Sequence, residues 1–320
     1  MCIKGVGKVL VCVATLSRLC WGQTLSPFDF LRTAESARAA GLAGAFVAIA
    51  GDASAQLYNP ATIPTVPPDA LSLTFIKHVL DINSGVAAYC GQMGAGWWGA
   101  TAAYTSYGQF TRTDALGNAI GTFGAAHFAL QVSYANQLDT NVFYGVSLGY
   151  VHTAIDRGAA SALIATVGLF YQFPLIRTSI GGSIRYFGVQ LARMNGESAA
   201  LPTDIRLGVS HRLRGLPLMV NFSLTRLVED RMSLTERLRN FAIAGELYLG
   251  KSVQLRLGYD NGVRSGQSSV SASPLSGFGV GAGLVFPSLT LDYTLTTLSA
   301  PALVHRLSCG LALDTVLKER

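Results

Sequence analysis

Histidines, cysteines, and acidic and arginine side chains are the residues of this 320-residue chain that could do chemistry. His78, His127, His152, His211 and His305 stand far apart, without the His-x-x-His spacing that brings two imidazoles to one metal ion. Each reads as a lumen, interface or strand-end residue. Cys2, Cys12, Cys20, Cys90 and Cys309 make no Cys-x-x-Cys pair. No Gly-x-Ser-x-Gly elbow presents a nucleophilic serine. Gly277 to Gly283 has the glycine content of a nucleotide loop, but without a following helix or lysine it reads as a glycine-rich strand. Asn221-Phe222-Ser223 is a sequon inside an expected strand and carries little. The expectation is a chain that is not an enzyme and holds no cofactor or metal.

The charges are the sharper signal, because several fall on the small, polar face of alternating segments. They are Arg185, Asp204, Arg206, Arg212, Glu246, Arg256, Asp260 and Asp292. They could line a route for a solute or hold a plug. Alternatively they pair with one another and fill a narrow interior, the reading favoured here because an unpaired buried charge is costly.

Stepping out to the elements that would position them, the chain is 50% hydrophobic and only 13% charged, with mean hydropathy +0.37. Soluble domains carry about 25% charged residues. Gly158 to Ile176 is the one long apolar stretch beyond the N-terminus, and Leu163, Ala165, Val167, Leu169 and Tyr171 alternate in it as a strand would. Period-2 alternation runs through the rest as well. Phe128, Leu130, Tyr134, Val146, Leu148, Leu255, Leu257 and Leu291 fall on the large apolar face, expected to meet lipid. About fourteen such segments occur, near 70–78, 82–91, 95–107, 124–136, 141–154, 158–173, 176–191, 203–214, 216–228, 238–250, 251–263, 275–286, 287–298 and 303–313. Their connections alternate between tight turns and longer polar loops such as Gln109–Thr122, Arg193–Pro202, Glu229–Asn240 and Asn261–Pro274, the pattern of an outer-membrane barrel. The fold class is therefore all-β, a closed transmembrane barrel of about fourteen antiparallel strands with a short N-terminal plug.

Residues 1–22 read as a signal peptide, with Lys4 and Lys8 before the apolar run Val9–Leu16, although Arg18 interrupts it. Without Lys4, Lys8 and Arg18 the formal charge of +6 falls to +3, too little and too scattered for nucleic acid. Residues 23–69 are a periplasmic or plug segment, 70–313 the barrel and 314–320 a charged tail. Ser36 to Ile63 is rich in small residues and is read as a short helix or tight coil closing the lumen, with a plain leader as the alternative. Arg38, Asp52, Asn59, Arg206, Arg256, Asp260 and Asp292 are the candidate plug and lumen residues.

Phe30-Leu31, Ser36 to Ala45, Asp52-Ala53-Ser54 and Tyr58-Asn59-Pro60-Ala61 resemble the leader of the PorV/PorQ family, outer-membrane proteins of the FadL-like barrel type. Tyr107 to Phe123, Leu201 to Ser210 with Leu216-Pro217-Leu218, and Leu257 to Asp260 with Arg264 are similar to the PorQ branch. The resemblance runs from about Phe28 to Leu313 and implies fourteen strands. It departs at the end, where an aliphatic Leu313 and a charged tail stand where such barrels finish on an aromatic residue. It further implies a non-enzymatic part of the type IX secretion system that anchors a PorZ-like partner beside a PorU/PorV assembly. A FadL-like channel for hydrophobic solutes is the alternative.

The outward loops would meet the protein partners and lipopolysaccharide. Tyr107, Phe110, Asp114, Asn118 and Phe123 in one, and Arg231, Arg237 and Arg239 in the other, are the candidate contacts. The expected location is the outer membrane of a Gram-negative bacterium.

Overall fold

The computed structural model describes residues 26–33, 35–228, 233–266, 274–299 and 302–313. The proposed signal peptide, Arg231 and the tail lie outside them.

Fourteen antiparallel strands close into one barrel, each paired with its neighbours in sequence and the last with the first. They are β1 Ala70–Lys77, β2 Asn83–Met93, β3 Gly96–Thr113, β4 Ala119–Asp139, β5 Val142–Ile155, β6 Gly158–Phe173 and β7 Thr178–Ala192. The second half comprises β8 Asp204–Arg212, β9 Leu218–Leu224, β10 Phe241–Leu249, β11 Val253–Asp260, β12 Phe278–Val285, β13 Leu289–Ser299 and β14 Ala302–Ala312. The barrel closes where Ala70 stands opposite both Cys90 and Ala312. The apolar stretch Gly158–Phe173 is a strand, and no helix among the described residues is long and apolar enough to cross a membrane.

Alternation sorts the side chains as the pleat requires. Leu130, Val146, Leu148, Leu255 and Leu257 are exposed on the outer face. Phe128, Tyr134 and Leu291 share it half-buried among larger neighbours. Between them Gln131, Ser133, Ser147, Glu246, Arg256 and Asp292 are buried inside.

Two expectations need correcting. Gln109–Thr122 is not a loop, because β3 and β4 continue into it and pair from Gln109–Gly124 to Thr113–Ala119. Its alternating threonines and aromatics favour extended backbone, and only residues 114–118 turn. The hairpin stands beyond the rim, since β2 ends opposite Ser106 and β5 opposite Ala125. The alternation also breaks in β7, where the register shifts between Ala165 and Val167 of the neighbouring strand. Tyr186 adopts a left-handed backbone there, φ 58°, and Arg185 and Tyr186 are both buried inside the barrel.

The N-terminal segment fills the lumen. It carries the 3-10 turns Asp29–Arg32, Ala53–Leu57 and Pro60–Thr65 and one short helix, α1 Ala37–Gly41. Ser36, Asp52 and Asn59 cap α1 and the two later turns, each accepting from a backbone N–H two or three residues on. On the long-connection side, α2 Leu234–Leu238 and α3 Asn261–Ser265 are single-turn helices.

Candidate functional site

Residues 35–66 form a disc across the barrel, and glycines on the inner faces of the strands let it sit close. A Cβ at Gly168 would overlap Asn59 Oδ1, and one at Gly279 would overlap the Ala40 carbonyl. Asn59 Nδ2 in turn donates to the Val47 carbonyl at 3.0 Å and the Leu169 carbonyl at 2.9 Å, tying two parts of the disc to β6. The inner face of small residues in the sequence is thus the footprint of the disc.

Charges lock it. Arg38 of α1 reaches Glu246 of β10 through two nitrogens, at 3.0 and 2.8 Å, and Asp52 at 3.2 Å. Glu246 also accepts from Arg256 at 2.6 Å and from the Tyr248 hydroxyl at 2.8 Å. Arg256 continues to Asp292 at 2.5 Å. Glu246 and Arg256 are fully desolvated, and their bidentate geometry offsets the cost of burying them. α1 is held further by the Ala37 N–H donating to Ser308 Oγ at 2.9 Å and by Thr294 Oγ1 donating to the Ala37 carbonyl at 2.7 Å.

A second cluster faces the disc from β7 and β8. Arg185 lies 3.9 Å from Glu35 and stacks over Tyr58 and Tyr186, at 4.9 and 4.4 Å from the ring centres. Arg206 pairs with Asp204 at 2.5 Å and sits over the other side of the cluster at 5.4 Å from the Tyr58 ring. Asp204 also accepts from the Arg226 N–H at 2.7 Å. Burial pushes the Glu35 carboxyl up to about 7, with Arg185, Arg206 and the Tyr186 hydroxyl pulling the other way. Its Oε2 and Arg185 Nε are buried without a hydrogen bond.

α1 separates two cavities along the wall of β11 to β14. One of about 320 Å³ lies toward the short turns and is lined by Arg38, Asp52, Asp292, Ser308 and Phe286. The other, about 280 Å³, lies toward the long connections and is lined by Ala40, Tyr58, Arg206, Phe278 and Arg306.

The lumen is not uniformly polar, which corrects the sequence-based expectation. Toward the long connections, Ala129, Val151, Ala160, Ala162 and Ile164 make an apolar niche, and Phe28 and Leu31 fill it. Phe30 stacks on His127 with ring centres 4.3 Å apart, and His127 also bonds to the Tyr107 hydroxyl at 2.9 Å.

Of the sequence-derived plug and lumen residues, Arg38, Asp52, Arg256 and Asp292 come together in the first network. Arg206 lies in the second, and Asn59 ties the disc to β6. Asp260 is set apart as the N-cap of α3, accepting from Val263 at 3.0 Å, with Arg226 3.9 Å away. The hairpin candidates divide. Tyr107 is engaged with His127 rather than offered outward, whereas Phe110 and Phe123 stack with their centres 5.3 Å apart. Asp114 accepts from Leu116 and Asn118 and shapes the turn, and those bonds hold its carboxyl below the ordinary range. Arg237 donates to the Leu227 carbonyl at 3.2 Å, and Arg239 caps α2 and is exposed. Glu35, Tyr58, Phe28 and Leu31 were not singled out as site residues. For Glu35 the available signal was a lone carboxylate beside the alanine-rich run.

No protein-family profile and no curated protein sequence matches the chain. Solved structures do. The Pseudomonas putida toluene transporter TodX superposes with TM-score 0.59 at 12% identity, covering 87% of this chain and 98% of TodX. The monoaromatic hydrocarbon channel CymD superposes with TM-score 0.56 at 13% identity, covering 89% and 97%. This chain has the FadL-like barrel fold. At such identities the likeness speaks for the fold and not for a shared solute or partner.

Proposed function

We propose that this protein is a FadL-like outer-membrane channel for small hydrophobic solutes, not an enzyme. The observation that carries this reading is the disc, which divides the lumen into two cavities with only the single turn of α1 between them along β11 to β14. A shift of α1 would join them. The exposed apolar exterior suits lipid, and the transporter and channel titles of TodX and CymD point to the same class of solute. The test is uptake of toluene by Gram-negative cells with and without the protein. Faster uptake is expected, and an unchanged rate at equal surface expression would overturn the reading.

A second reading has its own observation, the hairpin above the rim. Leu116 and Ile120 are 87% and 60% exposed there, an apolar tip outside the barrel. It suits an anchor for a surface protein, as the PorV/PorQ resemblance implies for a PorZ-like partner or a PorU/PorV assembly, with Arg237 and Arg239 facing lipopolysaccharide. Recovery of co-purifying proteins from solubilised outer membranes should then fall when Phe110, Leu116 and Ile120 become serine. Unchanged recovery would remove the anchor.

A further inference from the structure

We propose that the niche filled by Phe28 and Leu31 is the binding site for an uncharged apolar solute, and that the Asp29–Arg32 turn is its built-in competitor. This rests on the channel reading and names the solute class and the place of binding.

The niche is made by the barrel wall. Ala129, Val151, Ala160, Ala162 and Ile164 come from β4, β5 and β6, and their small size leaves a hollow that the wall does not fill itself. Phe28 and Leu31 occupy it at 0% and 1% exposure, so the site is dry in this conformation. The polar neighbour is the Tyr186 hydroxyl, already engaged by Arg185 and Glu35. A charged headgroup placed there would lose its water without a partner. A ring with a short alkyl substituent, the shape of the two side chains now present, would lose nothing polar.

The turn is built to leave. It is four residues long, too short to hold itself as a helix. The ion pair of Arg32 with Asp29 closes within it, and Thr33 Oγ1 donates back to the Phe30 carbonyl. Ser26 Oγ donates to the Ala200 carbonyl at 2.6 Å, and Phe30 stacks on His127. Exchange of the turn for a solute therefore trades one apolar burial for another, and the balance is set by solute concentration. A path exists as well. Arg32 and Thr33 line the 280 Å³ cavity, so withdrawal of the turn joins that cavity to the niche.

Naphthalene binding to the purified full chain in lipid nanodiscs tests this without any transport step. In Leu31→Trp, naphthalene should shift the added tryptophan emission to the red as the side chain enters water. Phe28→Ala with Leu31→Ala should raise naphthalene affinity about tenfold or more, because the competitor has lost its two anchors. A disulfide between Ser26→Cys and Ala200→Cys, verified by mass, should abolish binding until a reductant is added. Equal binding by the oxidised and reduced protein, or no gain in the double alanine variant, overturns the competitor. If the nanodisc results hold while cells show no toluene uptake, the channel reading fails and the niche stands.

Discussion

Residues 35–66 are held to the barrel by buried charges and by backbone seated against glycine, whereas residues 26–33 are held by two apolar side chains and one ring stack. Both fill the same lumen and both are dry. The difference lies in what each would leave behind. Pulling the disc out strands Glu246, Arg256 and Asp292 in a confined interior, which is costly. Pulling the turn out uncovers alanines, valine and isoleucine, which an apolar molecule can cover again. A lock and a replaceable filler are thus built from one continuous segment by the choice of polar or apolar anchors.

The largest effect should come from breaking the lock. Glu246→Ala leaves Arg38 and Arg256 facing each other without their shared carboxylate, and loss of one member of a buried pair costs about 3–5 kcal/mol. Equilibrium unfolding in urea, with protease sensitivity at residues 35–66, should show the disc released. If Glu246→Ala costs no more than a surface change, charge is not what seats the disc.

Next is the glycine seating. Gly168→Ala should displace Asn59 and cost roughly 1–3 kcal/mol, the usual range for overpacking. Asn59→Ala in the same background should then add little, because the two changes strike one contact. A fully additive double variant would place the disc's hold elsewhere.

The Glu35 cluster couples the two stretches to pH. Its folded value of about 7 stands above the ordinary 4.5. The folded, seated state therefore binds the proton more tightly than the released chain. The resulting stability is complete below about pH 4.5 and lost as pH rises through about 7. Protease sensitivity of residues 26–66 should increase from pH 5 to pH 8 in the native chain. Glu35→Gln should flatten that rise, and a rise of the same size in Glu35→Gln would place the pH response on another group.

The smallest effect lies outside the lumen. Arg112 and Asp156 pair at 2.5 Å but are each about a third exposed, so Arg112→Ala should cost under about 1 kcal/mol. Urea unfolding should be nearly unchanged, and a large loss would show that the projecting hairpin supports the barrel. Cys90 is buried inside while Cys309 faces out beside Leu307, both free, so mass analysis without reductant should find no bridge between them.

The sequence by itself determined the barrel. Period-2 alternation is a property of each strand alone, and it placed all fourteen segments and the apolar outer face. It also marked the interior charges, because a charge on the small-residue face has nowhere else to point. Which charge meets which was decided only by the tertiary structure. Arg38 and Glu246 are 208 positions apart, and their pairing depends on how a loosely patterned leader folds across the lumen. The inward pair Arg185 and Tyr186 was hidden for a different reason, since a bulge in β7 puts two neighbouring residues where alternation allows one. The apolar niche was hidden as well. Its alanines and valine read in sequence as an ordinary small inner face, and only the fold brings Phe28 and Leu31 against them. Strand patterning is local and survives in one dimension, whereas the contents of a lumen are set by contacts between segments far apart in the chain.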